Sequence, residues 1–96
     1  MVASSALRIF YRTSDARADY EFAFVRTADA WRVYILWSPD YAGRDDGAVA
    51  THRLSDEAGR RYVCWTGRLQ STEDAMRVAA AWADATQRYI ATGKQF

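Results

Sequence analysis

The C-terminal stretch from Ser71 to Gly93 limits what this chain can become, because it reads as one amphipathic helix behind a run of strands. On a 3.6-residue period, Ala75, Val78, Ala79, Trp82, Thr86, Tyr89 and Ile90 share one side, with Met76 and Ala83 at its edge. Glu73, Arg77, Asp84 and Arg88 fall on the opposite side. Both ends are signalled. Ser71 can cap the free N–H groups of the first turn, with Asp74 in the place of a capping-box acid. Gly93 stands where a left-handed C-terminal cap belongs. Glu73–Arg77 and Asp84–Arg88 are i,i+4 pairs with the acid N-terminal, the orientation that suits the helix dipole.

Everything before the helix alternates with a period of two. Met1 to Ser5 is expected to fray. Leu7, Ile9 and Tyr11 alternate with Arg8, Phe10 and Arg12 in a first strand, and Tyr20, Phe22 and Phe24 share one side of a second. Ala28-Asp29-Ala30 is short enough for a tight hairpin. Trp31 to Trp37 is the strongest strand, with Trp31, Val33, Ile35 and Trp37 on one side and Arg32, Tyr34 and Leu36 on the other. Ser38-Pro39 ends it, because proline cannot donate to a ladder. A loop from Asp40 to Gly47 follows. Ala48 to Leu54 reads as a weaker strand and Arg60 to Trp65 as the last one. The expectation is a single α+β domain over residues 1–96: an antiparallel β-meander of four to five strands with the C-terminal helix packed on one face. Ala75, Ala79 and Ala83 would let that helix approach the sheet closely, with Trp82 and Tyr89 filling the space between.

Size and charge narrow the function. A chain of 96 residues that is half apolar and carries four Trp and six Tyr can build a core without staples. Cys64 is the only cysteine, so no internal disulfide forms. No stretch approaches the apolar length of a membrane span, and the N-terminus has neither a basic region nor an apolar run, so a cytoplasmic protein is the default. The net charge of +1 lacks the basic excess that nucleic-acid domains usually carry.

Candidate chemistry is sparse. His52 and Cys64 fall on neighbouring strands, but no nucleophile elbow or oxyanion loop accompanies them, and a strand-centre cysteine is usually inert. Asp40, Asp45 and Asp46 share one loop at a spacing that fits no EF-hand, so a solvated acidic loop is the reading. The glycines form no phosphate-cradling motif. No cofactor or metal is implied, and the chain reads as a non-enzyme.

One helix covers one sheet face. The other face would then present Arg8, Phe10 and Arg12 from the first strand and Arg32, Tyr34 and Leu36 from the third. The last strand adds Arg61, Val63 and Trp65 or Arg60, Tyr62 and Cys64, depending on register. Arginine mixed with aromatic and aliphatic groups is the composition of binding surfaces. Tyr41 and Arg44 make the Asp40–Gly47 loop a second contact element. The alternatives are a face half-covered by its own arginine stems and a homodimer interface.

From Arg60 to Ala83 the chain runs from a strand through Trp65-Thr-Gly67-Arg-Leu69 into Ser71-Thr72-Glu73-Asp74-Ala75 and an Ala-rich helix. This resembles the end of the three-strand-plus-helix DNA-binding domains of the AP2 type, including the arm-binding domains of phage integrases. Gly67, Leu69, Thr72, Glu73 and Ala75 are the matching positions. The resemblance implies a sheet that enters the major groove and reads bases with strand Arg and Trp side chains. Two function classes therefore stand. The first is a small binding protein acting through protein–protein contact, of the kind that mobile elements encode to inhibit a host machine, anti-defence proteins among them. The second is a nucleic-acid-binding domain using Arg8, Arg12, Arg32 and Arg61.

Overall fold

The computed structural model of the chain describes residues 7–28 and 30–96. The expectation for Met1 to Ser5, and Asp29 of the expected hairpin, lie outside the described residues. In chain order the elements are β1 (Leu7–Arg12), β2 (Asp19–Arg26), β3 (Trp31–Trp37), α1 (Ala48–Thr51), β4 (Arg53–Ser55), β5 (Arg61–Val63) and α2 (Thr72–Thr92). The strands make one antiparallel sheet in the order β1-β2-β3-β5-β4, and α2 packs on one face of it. The expected α+β architecture is therefore the observed one, with the last two strands exchanged relative to a simple meander.

That exchange has a physical cause in the chain between β3 and β4. Ala48 to Thr51 forms a helical turn where a strand was expected. Its lone large apolar side chain, Val49, is 91% exposed, so nothing holds this stretch in a pleated layer. Thr51 is fully buried, and its hydroxyl donates to the Gly47 carbonyl (2.7 Å). Tyr41 is buried as well, and its ring meets Tyr89 of α2. The connection is thus pinned against α2. It returns to the sheet beyond the place beside β3, which β5 then fills.

The core is built as the alternation requires. Tyr20, Phe22 and Phe24 of β2 and Val33 of β3 are buried beneath α2. From the helix, Ala75, Val78, Ala79, Trp82 and Ala83 close onto them. Trp82 stands edge-on to both Tyr20 (5.8 Å between ring centroids) and Phe22 (6.0 Å), the geometry that ring quadrupoles favour. Its indole N–H donates to the Thr51 carbonyl (2.9 Å), tying helix, sheet and crossover together. Tyr89 donates to the Asp45 carbonyl (2.8 Å). Both expected caps form. The Ser71 hydroxyl accepts from the Asp74 N–H (3.1 Å), and Gly93 takes φ +75°. A side chain at Gly93 would also meet the Arg44 guanidinium at 2.9 Å, which a flexible arginine can relieve by moving, so it is the positive φ that favours glycine here.

The polar side of α2 differs from its expected pairing. Arg77 pairs with Asp74 rather than Glu73. Asp84 turns toward the β1–β2 turn, where it accepts from the Tyr11 hydroxyl (2.9 Å) and the Ser14 N–H (2.8 Å). A second departure lies in β3. The pairing with β2 shifts between Glu21 and Phe22, so that Ile35 faces Phe22 while Trp37 faces Glu21. The irregularity takes Trp37 off the core side, and it is 55% exposed.

The position of Trp82 generates a test. Trp82→Ala should lower unfolding free energy by about 3–5 kcal/mol, enough to unfold much of the population of a domain of ordinary stability. Trp82→Phe keeps a ring but strands the Thr51 carbonyl, and should cost about 1–3 kcal/mol. Denaturant unfolding followed by circular dichroism measures both, and equal stability of all three proteins would contradict the packing described.

Candidate binding surface on the open sheet face

Among the described residues no other element covers the face of the sheet away from α2. Register fixes its lateral row: Arg8 lies opposite Ala23, Ala23 opposite Tyr34, Tyr34 opposite Tyr62, and Tyr62 opposite Leu54. One line of side chains therefore crosses every strand. Beside it run Phe10, Glu21 and Trp37 in adjacent strands. Phe10 is 72%, Trp37 55% and Leu36 47% exposed, which makes this the apolar part of the face.

The other part is a stack of arginine and tyrosine. The Arg32 guanidinium lies 4.1 Å from the Tyr62 ring centroid and donates to the Tyr34 hydroxyl (3.2 Å). The Tyr34 and Tyr62 rings meet edge-on at 5.6 Å. The Arg60 guanidinium also lies over Tyr34, 5.3 Å from the ring centroid. The Tyr34 hydroxyl in turn donates to Asp56 (2.9 Å), which also accepts from the Arg60 side chain (2.8 Å). Asp56 belongs to the β4–β5 turn, whose chain reversal uses Gly59 at φ +81°. Its other carboxylate oxygen accepts from the Ala58 and Arg60 N–H groups. Each member is held by its neighbour, so Arg32, Tyr34 and Tyr62 are half-buried in a rigid group.

Partial desolvation raises the Asp56 carboxyl, but the Arg60 N–H, the Tyr34 hydroxyl, the Arg60 guanidinium and the Ala58 N–H outweigh it. The carboxyl is held below the usual carboxylate range. The remaining arginines of the face are also occupied. Arg8 pairs with Glu21, and Arg12 with Asp19 (3.0 Å).

The sequence-derived site residues divide on this framework. Arg8, Phe10, Arg12, Arg32, Tyr34 and Leu36 share the open face. Arg61 does not. Val63 is drawn into the core, and a period of two then places Arg61 on the helix side and Tyr62 on the open face. Tyr41 does not face outward either. It points inward, its hydroxyl is buried without a partner, and Arg53 lies 5.0 Å over its ring. Burial raises the Tyr41 hydroxyl against the lowering pull of Arg53 and Arg61. Arg44 donates to the Ile90 (3.2 Å) and Ala91 (3.4 Å) carbonyls, which makes it a cap for the end of α2. Arg60 arrives with the Tyr62 register, one of the two the sequence leaves open, whereas Trp37 and Asp56 join the face unforeseen. Trp37 arrives through the strand irregularity, for which the sequence holds no signal. Asp56 falls between the last two expected strands, where the sequence signals only a connection.

His52 and Cys64 are linked through the backbone, the Cys64 N–H donating to the His52 carbonyl (2.9 Å). The His52 ring is instead engaged by Phe96, both by ring contact (4.6 Å) and by its Nε2 against the Phe96 carbonyl. Asp40 and Asp45 accept from the N–H groups of Ala42 and Gly47 in local turns. Among the described residues no group of His, Cys, Asp or Glu is placed to hold a metal ion. No described helix is long and apolar enough to cross a membrane. Comparison with family models, curated proteins and solved structures returned no match for this chain.

The Asp56 network predicts an acid-sensitive element. Its folded-state pKa is depressed, so its stabilisation is complete above the unfolded value of about 3.9 and is lost as pH falls through the folded one. Tyr34 and Arg60 side-chain NMR signals should hold steady from neutral pH to about pH 4 and move together below it. In Asp56→Asn that joint movement should vanish; its persistence would show that another group is titrating.

Proposed function

We propose that this chain is a small non-enzymatic binding protein that acts by protein–protein contact through the open sheet face. Its action is inhibition by occupancy, of the type that mobile elements direct at a host machine. The observation that carries the reading is the state of the arginines on that face. Arg8, Arg12 and Arg60 are matched with acids, and Arg32 is spent on tyrosine rings and a hydroxyl. A surface meant for phosphates keeps its cations available, because affinity for a duplex comes from neutralising phosphates. Here the groups left outward are Phe10, Leu36 and Trp37. Aromatic anchors beside a polar, pre-ordered rim are how protein interfaces distribute their energy. The stacked Arg–Tyr group also loses little freedom on binding, since its side chains are already ordered.

The nucleic-acid alternative requires these ion pairs to open. It is tested by titrating a generic duplex at low salt, where any phosphate-driven binding is strongest.

Phe10→Glu with Trp37→Glu alters exposed positions and should leave unfolding unchanged. It should abolish recovery of the protein partner that the unmodified chain retains from native cells, with retention insensitive to moderate salt. Duplex binding at low salt that falls steeply with added salt, or equal partner recovery by the double variant, would overturn the reading.

A further inference from the structure

The helix side carries a second surface of different character. Three adjoining depressions of about 220, 400 and 330 Å³ run along the flank of α2. The first two share Trp65, Val78 and Ala81, and the first and third share Ala85 and Phe96, so they form one groove. Its floor is Val78, Ala81 and Ala85, spaced as a helix presents one stripe. Its walls are Trp65, 55% exposed, and Phe96. From Asp74 to Thr92 the helix runs about 27 Å at 1.5 Å per residue.

Charge is uneven here. The residues lining the groove include Arg68, Arg77, Arg88 and Lys94, against the single carboxylate Asp74. Asp74 engages Arg77. Arg88 and Lys94 have no acidic partner among the described residues. In a chain whose net charge is only +1, this is a local concentration of cations around an apolar floor. On the open face, by contrast, acids match Arg8, Arg12 and Arg60, and tyrosines engage Arg32.

We infer that this groove receives an acidic amphipathic helix of a partner protein. Ala81 and Ala85 leave room for a backbone to come close, as small contact residues do in tight helix pairs. An apolar stripe of the incoming helix would lie on Val78, Ala81 and Ala85 between Trp65 and Phe96. Its flanking carboxylates would meet Arg77 near one end, and Arg88 and Lys94 at the other. A polynucleotide would find the cations but gain nothing from an alanine floor. This surface does not rest on the open-face reading, because the sheet separates the two.

The probe is a synthetic helical peptide of about 18 residues, long enough for the groove, with leucines at i, i+4, i+7 and i+11 and glutamates on both flanks. A counterpart replaces glutamate by lysine. Titration of labelled protein should move the signals of Ala81, Ala85 and Trp65 saturably. The lysine peptide should bind at least about tenfold more weakly, as should Ala81→Glu or Arg88→Glu protein with the glutamate peptide. Both substitutions are at exposed positions, so folding is checked by unchanged unfolding curves. Phe10→Glu protein should bind the peptide normally. Equal binding of the two peptides, shifts confined to Phe10 and Trp37, or no saturable shift in the groove would overturn the inference. So would sedimentation showing the groove closed by a second copy of the chain.

Discussion

Trp82 is the contact on which the molecule turns. Its ring meets Tyr20 and Phe22 of the sheet edge-on, and its N–H reaches the Thr51 carbonyl of the crossover. One side chain therefore fixes the helix against the strands and the long connection against the helix. The nearby alanines matter for the same reason. Ala75, Ala79 and Ala83 are fully buried and let α2 sit close enough for the indole to reach past them. With the helix committed to one side, no element among the described residues covers the other.

Much of this was legible because two periods are hard to mistake. The caps of α2 follow from Ser71 and Gly93, and the inward faces of β2 and β3 from Phe22, Phe24 and Val33, all of which are buried. The strand expected from Ala48 to Leu54 forms only at Arg53 and Leu54, and Ala48 to Thr51 departs from it for a physical reason. Alternation over a few small residues fits a helical turn as well as a strand, and the burial of Thr51 and Tyr41 decided the outcome. Register failed likewise at Arg61. Which of two alternating sets faces inward depends on the tertiary pull on Val63, and no local signal reports it.

The open face was legible in composition but not in state. Arg8, Arg12 and Arg32 were visible as cations. Their partners Glu21, Asp19 and the tyrosine pair come from other strands and appear only once the register is known. That difference reverses the functional weight of the same residues, because a paired arginine orders a surface whereas an unpaired one attracts phosphate. The two uncovered surfaces then separate by physics. One is electrically matched with aromatic anchors, and the other is cationic around an alanine floor.

The central claim is that the sheet surface opposite Trp82 is open in the lone chain and closed by a protein partner. Hydroxyl-radical footprinting, read residue by residue with and without that partner, tests it most directly. The account predicts that Phe10 and Trp37 oxidise quickly in the free protein and become protected in the complex, while Tyr20 and Trp82 stay protected in both. Fast oxidation of Trp82 in the free chain, or unchanged oxidation of Phe10 and Trp37 in the complex, would contradict it.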